Sequence, residues 1–278
     1  MTDILKIKKW LDDADAIIIG AGAGLSNAAG IHYSGEKFEH DFKDYIKKYD
    51  FKDLYTSSFY PFNTEEEKWA YWAKHIYYSY YERKNTKLYQ ALFNLVKNKD
   101  YFIITTNVDG QFLNNGFLKD KIFEVQGSYS KLQCSKPCHN KLYYNEEIVH
   151  EMLDNIDADL KIPSALVPKC PVCGENMSVN LRCDDTFVED DNWNNMQKNY
   201  DDFLRNFANK KILLLEFGIG FNTPGIIRFP FEKMTYMHDN FHLIRFNDKY
   251  PEVPNEIKDR SISVSDSISE VIYLIKKL

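Results

Sequence analysis

No long run of basic residues occurs in this 278-residue chain, whose formal net charge is −6. That absence argues against a sequence-independent grip on nucleic acid or anionic lipid, because either needs clustered Lys and Arg. Long apolar runs are missing too. The longest, AIIIGAGAGL from Ala16 to Leu25, is too short and too rich in glycine to span a bilayer, and the amino terminus mixes Asp with Lys. Neither nucleic acid nor membrane is therefore expected as a partner, and the chain reads as a soluble, cytoplasmic protein that meets small molecules and other proteins. Internal repeats and low-complexity linkers are also lacking. With 44% hydrophobic and 27% charged residues, the length suits one large α/β domain, or one domain carrying a smaller insert.

Cysteine is scarce and odd in number. Of five, four form two close pairs, Cys134 with Cys138 and Cys170 with Cys173. In a long cytosolic chain such spacing points to metal before disulfide. Gly174 follows the second pair, and the whole approaches the pattern of a tetrahedral structural zinc, whose four thiolates leave no open position for activating water. Reduced, metal-free thiols are the alternative. His139 is either a substitute ligand or a surface histidine beside Cys138. Cys183 reads as a buried free thiol.

What is present is an alternation of apolar strands and helices. Ile4, Ile7 and Leu11 share one face of a short helix before a first strand at 15–20. Further strands are expected at 101–107, 121–125, 211–217 and 241–246, with an edge strand at SISV and a last helix from about residue 266. About 80 residues separate the first two strands, far more than one crossover helix needs. Part of that stretch is a helix opened by a Thr64/Glu67 capping box, with Trp69, Trp72, Ile76 and Tyr80 at helical spacing as a packing face. The segment TKLYQALFNLVKNK leads as a helix into the second strand. These features predict an α/β fold: a Rossmann-like parallel sheet with helices on both faces, a helical insert at 36–85 and a small zinc-binding insert. The expected division is 1–129 with 183–278, against a module at 130–182.

Ligands of such sheets bind at the carboxyl ends of the strands. The first strand runs into a loop where Gly20, Ala21, Gly22, Ala23, Gly24 and Ser26 form a candidate phosphate cradle. It lacks the third glycine of the dinucleotide fingerprint, since Leu25 stands there, and a tight strand-to-helix turn without ligand is the competing reading. The second strand ends in TTNVDGQF. Asn107 supplies an amide that can orient and Asp109 a carboxylate that can stabilise positive charge, unless the pair merely makes an Asx turn. After the strand at 211–217 come Gly218 and Gly220, then Asn222 or Thr223 as N-cap and Pro224 as first residue of a helix aimed at the same crevice. The third strand ends in FEVQG, with Gln126 before Gly127.

A glycine loop, an Asn-x-Asp pair and a residue before Gly127, followed directly by paired cysteines, resemble the sirtuins from about Asp15 to the carboxyl terminus. The matching motifs are GAGLS, TTNVD and QG. GIHYSGEKF, LRCDDTFVED and FGIGFNTPGIIRFPFE narrow the resemblance to the macrodomain-linked branch, often called class M. Where most sirtuins have Pro-Asp-Phe-Arg after Gly30-Ile31, this chain has His32, Tyr33, Ser34 and Gly35, and Tyr33 is included among the expected cofactor contacts. The resemblance implies NAD as co-substrate and a structural zinc. It also implies that Gly218, Gly220, Asn222 and Thr223 hold the adenosine ribose and phosphates together with Asn247, which otherwise reads as a turn residue.

Deacylation by sirtuins, the resemblance implies, uses a histidine before the glycine as base on a ribose hydroxyl. Gln126 cannot take that proton, and a missing general base typically costs roughly 10²- to 10⁴-fold. ADP-ribose transfer skips the hydroxyl attack and needs positioning and charge stabilisation. The expectation is an NAD-dependent protein mono-ADP-ribosyltransferase, in which Gln126 holds the ribose and Asn107 holds the nicotinamide ribose or the attacked face. Asp109 stabilises the cation or accepts the acceptor's proton. Class M resemblance implies a lipoylated carrier related to the glycine cleavage H protein as acceptor, and a macrodomain protein as functional partner. A lysine deacylase and a non-catalytic NAD or ADP-ribose sensor are the alternatives. Arg182 is read as steering an acidic acceptor, pairing with Asp185 or sitting in a surface pair, and 187–193 as a partner contact or a solvated acidic loop.

Overall fold

Aliphatic strands flanked by amphipathic helices dominate the computed structural model, which describes residues 3–83 and 85–278. Among the described residues nine strands run in chain order: β1 (Ala16–Ala21), β2 (Asp100–Thr105), β3 (Ile122–Glu124), β4 (Gly127–Cys134), β5 (Tyr143–Tyr144), β6 (Met177–Leu181), β7 (Ile212–Phe217), β8 (Phe241–Phe246) and β9 (Ser261–Val264). They belong to two units. One unites the described residues of 1–30, 84–126 and 191–278; the other comprises 31–83 and 127–190. Among the described residues no helix is long and apolar enough to cross a membrane.

In the first unit six strands form one parallel sheet in the order β3-β2-β1-β7-β8-β9. Alternation of side chains sends Ile17, Ile19 and Ala21 of β1 to one face and Ala16 and Ile18 to the other. On the first face the helices Ile4–Asp13, Lys87–Val96 and Ile268–Lys276 bring Ile7, Leu92, Val96, Val271 and Ile275 into the core. The opposite face takes Phe231 from the helix Arg228–Met237 and the apolar stripe of the helix Asp191–Phe207. The order of strands reverses between β1 and β7, so the switch point where such sheets bind ligands lies over their carboxyl ends.

Two helix boundaries differ from the sequence expectation. The acidic stretch before Trp193 is not a loop throughout: Asp191 opens a 17-residue helix. Trp193, Met196, Tyr200, Phe203, Leu204 and Phe207 line one side of it against the sheet. Trp193 Nε1 donates to Val125 O at 3.1 Å, and its ring meets Phe123 edge-on, so this tryptophan anchors the helix. The second correction is at Pro224, which does not start a helix. Residues 224–227 form a turn, and the helix begins at Arg228. Pro230 explains the shift. A helix from Pro224 would place Pro230 in its second turn, where its missing N–H and its ring against the Ile226 carbonyl would break the ladder, whereas a start at Arg228 puts it in the tolerated first turn.

The second unit joins the segment around the helix Glu65–Ile76, which ends in a π-turn at Tyr77–Tyr81, to an antiparallel sheet in the order β5-β4-β6. The sequence reading grouped the helical insert with the Rossmann-like part. Here it packs with the zinc insert: Tyr81 OH donates to Asn145 Oδ1 at 2.6 Å, and Asn145 Nδ2 to Tyr129 O at 2.8 Å. Thr64 Oγ1 accepts from Glu67 N at 3.2 Å, while the Glu67 carboxylate binds Lys48 Nζ at 3.0 Å. Trp69, Trp72, Ile76 and Tyr80 are all buried, the packing face that their spacing predicts.

His75 is fully buried in this unit, with Nδ1 2.9 Å from Tyr71 OH, Nε2 3.1 Å from Tyr129 OH and its ring stacked on Trp72. Burial pushes its pKa from 6.5 down to about 3. The unfolded chain therefore takes up a proton below pH 6.5 that the folded chain refuses, and stability falls as pH drops from 6.5 towards 3. At pH 5 the loss from this residue is expected to be about 2 kcal/mol. Urea midpoints at pH 7 and pH 5 for the protein and a His75→Phe variant check it. Equal acid sensitivity of the two would contradict a neutral, buried imidazole.

Candidate functional site

At the end of β1 the chain turns through Gly22 into the short helix Ala23–Ala28, and most of the loop's polar groups are already engaged. Gly22 N donates to Phe217 O, Gly24 N to Gly218 O and Leu25 N to Gly22 O, at 3.0–3.1 Å. Ala23, at the exposed tip, takes part in none of these bonds. Gly24 and Gly218 meet backbone to backbone: a Cβ on Gly24 would lie 2.5 Å from Gly218 Cα, and one on Gly218, whose φ is +58°, would lie 2.3 Å from Gly24 Cα. These two glycines serve loop-to-loop contact as well as any ligand.

Ser26, Asn107 and Asp109 are brought together beneath that loop. Ser26 Oγ donates to Asp109 Oδ2 at 2.5 Å. It accepts from Asn107 Nδ2 at 3.1 Å and lies 3.0 Å from Tyr89 OH, which completes the one donor and two acceptor sites of a hydroxyl. Asn107 Nδ2 also donates to Gly22 O at 2.9 Å. Asp109 is 2% exposed, and its second oxygen accepts from Gln111 N at 3.2 Å. Burial holds its pKa above the ordinary carboxylate value, against the opposing pull of the Ser26 hydrogen bond. A carboxylate so enclosed suits orienting Ser26 and Asn107 better than collecting a proton from a macromolecule. Tyr89 was not a sequence candidate; its only signal there is a phenol at an apolar position of the helix Lys87–Val96.

Gln126 lies just past β3, whose parallel pairing with β2 extends to Val125 N on Thr105 O at 3.1 Å. The glutamine is half-buried, and its amide engages none of the described residues. Past β7, Gly218 N donates to Phe246 O at 2.8 Å. Asn247, 5% exposed, ties the β7 and β8 loops: Nδ2 donates to Ile219 O at 2.8 Å, and Oδ1 accepts from the N–H groups of Lys249 and Tyr250. Its side chain is a loop staple. Gly220 and Asn222 are exposed, and Thr223 O accepts from Ile226 N at 3.3 Å within the turn.

In the second unit the four paired cysteines converge, with all four Sγ atoms within 4.8 Å of one another. Cys134 and Cys173 lie 3.6 Å apart and Cys138 and Cys170 3.7 Å. A tetrahedron with Zn–S bonds of about 2.3 Å has edges of about 3.8 Å, so the thiols fit one structural zinc. His139 Nδ1 lies 3.0 Å from Cys138 Sγ and Nε2 3.0 Å from Tyr143 OH, a place at the rim of the cluster. Gly127, with φ +88°, admits no side chain: a Cβ would meet Asn180 O at 2.0 Å. Tyr33 is half-buried in this unit and its carbonyl accepts from Leu54 N. Of the readings for Arg182, the surface pair is the one found, with Glu189 and not Asp185 as partner, and the guanidinium lies over the Phe187 ring at 4.3 Å. One expectation needs correction. Cys183 is exposed, not buried, since it follows the end of β6 in the turn 182–186.

Comparison with known proteins gives the family and the fold. The Sir2 family model matches residues 22–206. A protein ADP-ribosyltransferase of Staphylococcus aureus is 37% identical over 267 residues, covering 96% of this chain and 84% of its own. A probable bifunctional ADP-ribose hydrolase/ADP-ribosyltransferase of Fusarium oxysporum f. sp. cubense is 34% identical, covering 96% of this chain and 47% of its own, so this chain spans about half of that relative. Among solved structures, a mutant Sir2 homologue in complex with ADP-ribose matches with TM-score 0.61 at 15% identity, covering 100% of this chain and 96% of its own. Sir2Tm bound to a propionylated peptide matches with TM-score 0.63 at 16% identity, covering 99% and 98%. At such identities the solved structures speak for the fold.

Proposed function

This chain belongs to the Sir2 family, and on that premise we propose that it is an NAD-dependent protein mono-ADP-ribosyltransferase. The observation that carries the reading is Gln126, an amide that cannot act as a base near neutral pH, unengaged just past the end of β3 at the position where, by the sirtuin resemblance, deacylation uses a histidine. The Staphylococcus aureus relative, similar along nearly the whole chain, bears the name of that activity.

In this reading the C–N bond between nicotinamide and the ribose breaks, nicotinamide leaves with the electron pair, and a nucleophile of the acceptor protein bonds to the ribose carbon and gives up its proton to solvent water. Asn107, held by its nitrogen on Gly22 O and Ser26, presents an amide dipole to the positive charge that develops. Gln126 hydrogen-bonds the ribose. The Asp109 carboxylate keeps Ser26 and Asn107 in register. What supports NAD as the co-substrate is the set of groups about the β1–β7 switch point, with an exposed backbone tip at Ala23 and glycines packed too closely for side chains. The cysteine cluster is structural and contributes no chemical step.

The acceptor proposed is a lipoylated carrier protein related to the glycine cleavage H protein, on the strength of the class M resemblance. A macrodomain hydrolase as functional partner is supported by the Fusarium relative, whose name joins an ADP-ribose hydrolase to the transferase in a chain about twice the matched length. Intact mass spectrometry of a lipoylated carrier and of an acylated lysine peptide, each incubated with NAD, tests the proposal. Gain of one ADP-ribose on the carrier is expected. A Gln126→Ala variant should slow it about tenfold, the worth of one neutral hydrogen bond. Deacylation of the peptide with the carrier untouched would reverse the assignment.

A further inference from the structure

Behind the β7 and β8 loops lies a charge cluster that the site above does not use. Glu216 and Arg245 are register partners on these two strands, and both are fully buried. Arg245 Nε and Nη2 donate to the two Glu216 oxygens at 2.8 and 2.9 Å, a bidentate pair, and Nη2 lies 2.8 Å from Glu232 Oε1. Arg228, 4% exposed, has Glu216 and Glu232 within 3.8 and 3.7 Å. Two guanidinium groups thus balance two carboxylates without any ligand.

Holding strands together does not call for such a cluster, since an apolar set of similar volume does that at no loss of stability. A guanidinium adds a rigid fork of donors, and here the spare donors all go to one place. Arg245 Nη1 donates to Glu252 O at 2.5 Å, Arg228 Nη1 to Tyr250 O at 3.0 Å and Arg228 Nη2 to Glu252 O at 3.1 Å. The other end of the fork reaches the neighbouring loop: the Arg228 guanidinium lies over the Phe221 ring at 4.7 Å, and that ring meets Tyr250 edge-on at 4.9 Å. With the Asn247 staple, the loops after β7 and β8 are clamped together from below.

A dinucleotide laid across the switch point puts one half on each side of β1. Asn107 and Gln126 occupy the β2–β3 side, so the reacting half belongs there and the adenosine half falls to the β7–β8 side. We infer that Arg228 and Arg245 are positioning residues that preform the adenosine side of the NAD site by fixing the loop 247–252 against the loop 218–223. This rests on the NAD-dependent reading above.

The test uses two variants of the full chain. Glu216→Gln/Arg245→Met removes the pair without leaving a buried charge alone, and Arg228→Met removes the outer fork. Urea midpoints identify folded protein, and calorimetry with ADP, ADP-ribose and nicotinamide mononucleotide is set beside steady-state nicotinamide release. Kd for ADP and KM for NAD are expected to rise about tenfold as preorganisation is lost. The same variants should keep kcat within about twofold and leave Kd for nicotinamide mononucleotide unchanged, a split that general destabilisation does not produce. Unchanged ADP affinity in either folded variant, or a fall in kcat at constant KM, would overturn the inference while leaving the wild-type activity in place. A wild-type protein that neither binds ADP-ribose nor releases nicotinamide would overturn the functional reading, and this inference with it.

Discussion

Replacing Asn107 with alanine is expected to lower nicotinamide release by roughly 10²- to 10³-fold, the usual cost of removing a preorganised polar group aimed at developing charge. The orientation of the side chain is set by its partners. Gly22 O can only accept, so the amide nitrogen faces it, and Oδ1, which bonds none of the described residues, faces away. The negative end of the amide dipole is therefore the free end. Asn107→Asp should fare no better, because its second oxygen would oppose the Gly22 carbonyl in place of a donor. Single-turnover release of nicotinamide at saturating NAD measures the step, with a urea midpoint to show that each variant is folded. A decrease below about fivefold would assign Asn107 to loop structure alone.

Stripping the metal from the cysteine cluster is expected to unfold the second unit and spare the first. Structural zinc contributes on the order of 10 kcal/mol of apparent binding energy to the fold of a small module. Apart from it, the cluster's ends are joined by the end of the β4–β6 ladder at Cys134 and Met177, the exposed Lys136–Glu175 ion pair, the Lys169–Asn176 bridge and the bond from Ser135 N to Asn176 O. The aliphatic core around β1 and β7 includes none of these residues. Hydrogen exchange before and after chelation, with one zinc per chain verified by elemental analysis, reads the outcome. Amides of β4 and β6 should lose protection and those of β1 and β7 retain it. Full protection of β4 and β6 after complete removal would mean that the thiols hold nothing essential.

The central strands β1 and β7 are legible in the sequence because each is a largely aliphatic run buried on both faces, and the predicted span at 241–246 coincides with β8. The glycine loop, the Asn-x-Asp pair and the cysteine spacing are equally legible, since each needs particular residue types at short separation. The helix Asp191–Phe207 is hidden because Asn, Asp, Gln and Lys dilute its apolar stripe, and its acidic first turn imitates a solvated loop. At Pro224 a plausible start signal was outweighed by Pro230, six residues on, a conflict visible in the sequence only when the helix is carried through to its second turn. The staple formed by Asn247 and the enclosure of Asp109 depend on residues far apart in the chain, which no local pattern reports. Nor does residue spacing reveal that the helical and zinc-bearing inserts share one unit, for Tyr81 and Asn145 lie 64 residues apart.

Gly24 and Gly218 also constrain how this protein can vary. Each fills its place only because the other has no side chain, so a methyl group at either position invades the same small volume. Compensation between them is closed off: a second substitution adds bulk where relief is needed, and no pair of larger residues restores the fit. A saturation library scored for folded protein should show both columns empty, in single and in paired variants alike. The neighbouring Ala23, exposed at the tip of the loop, remains open to change.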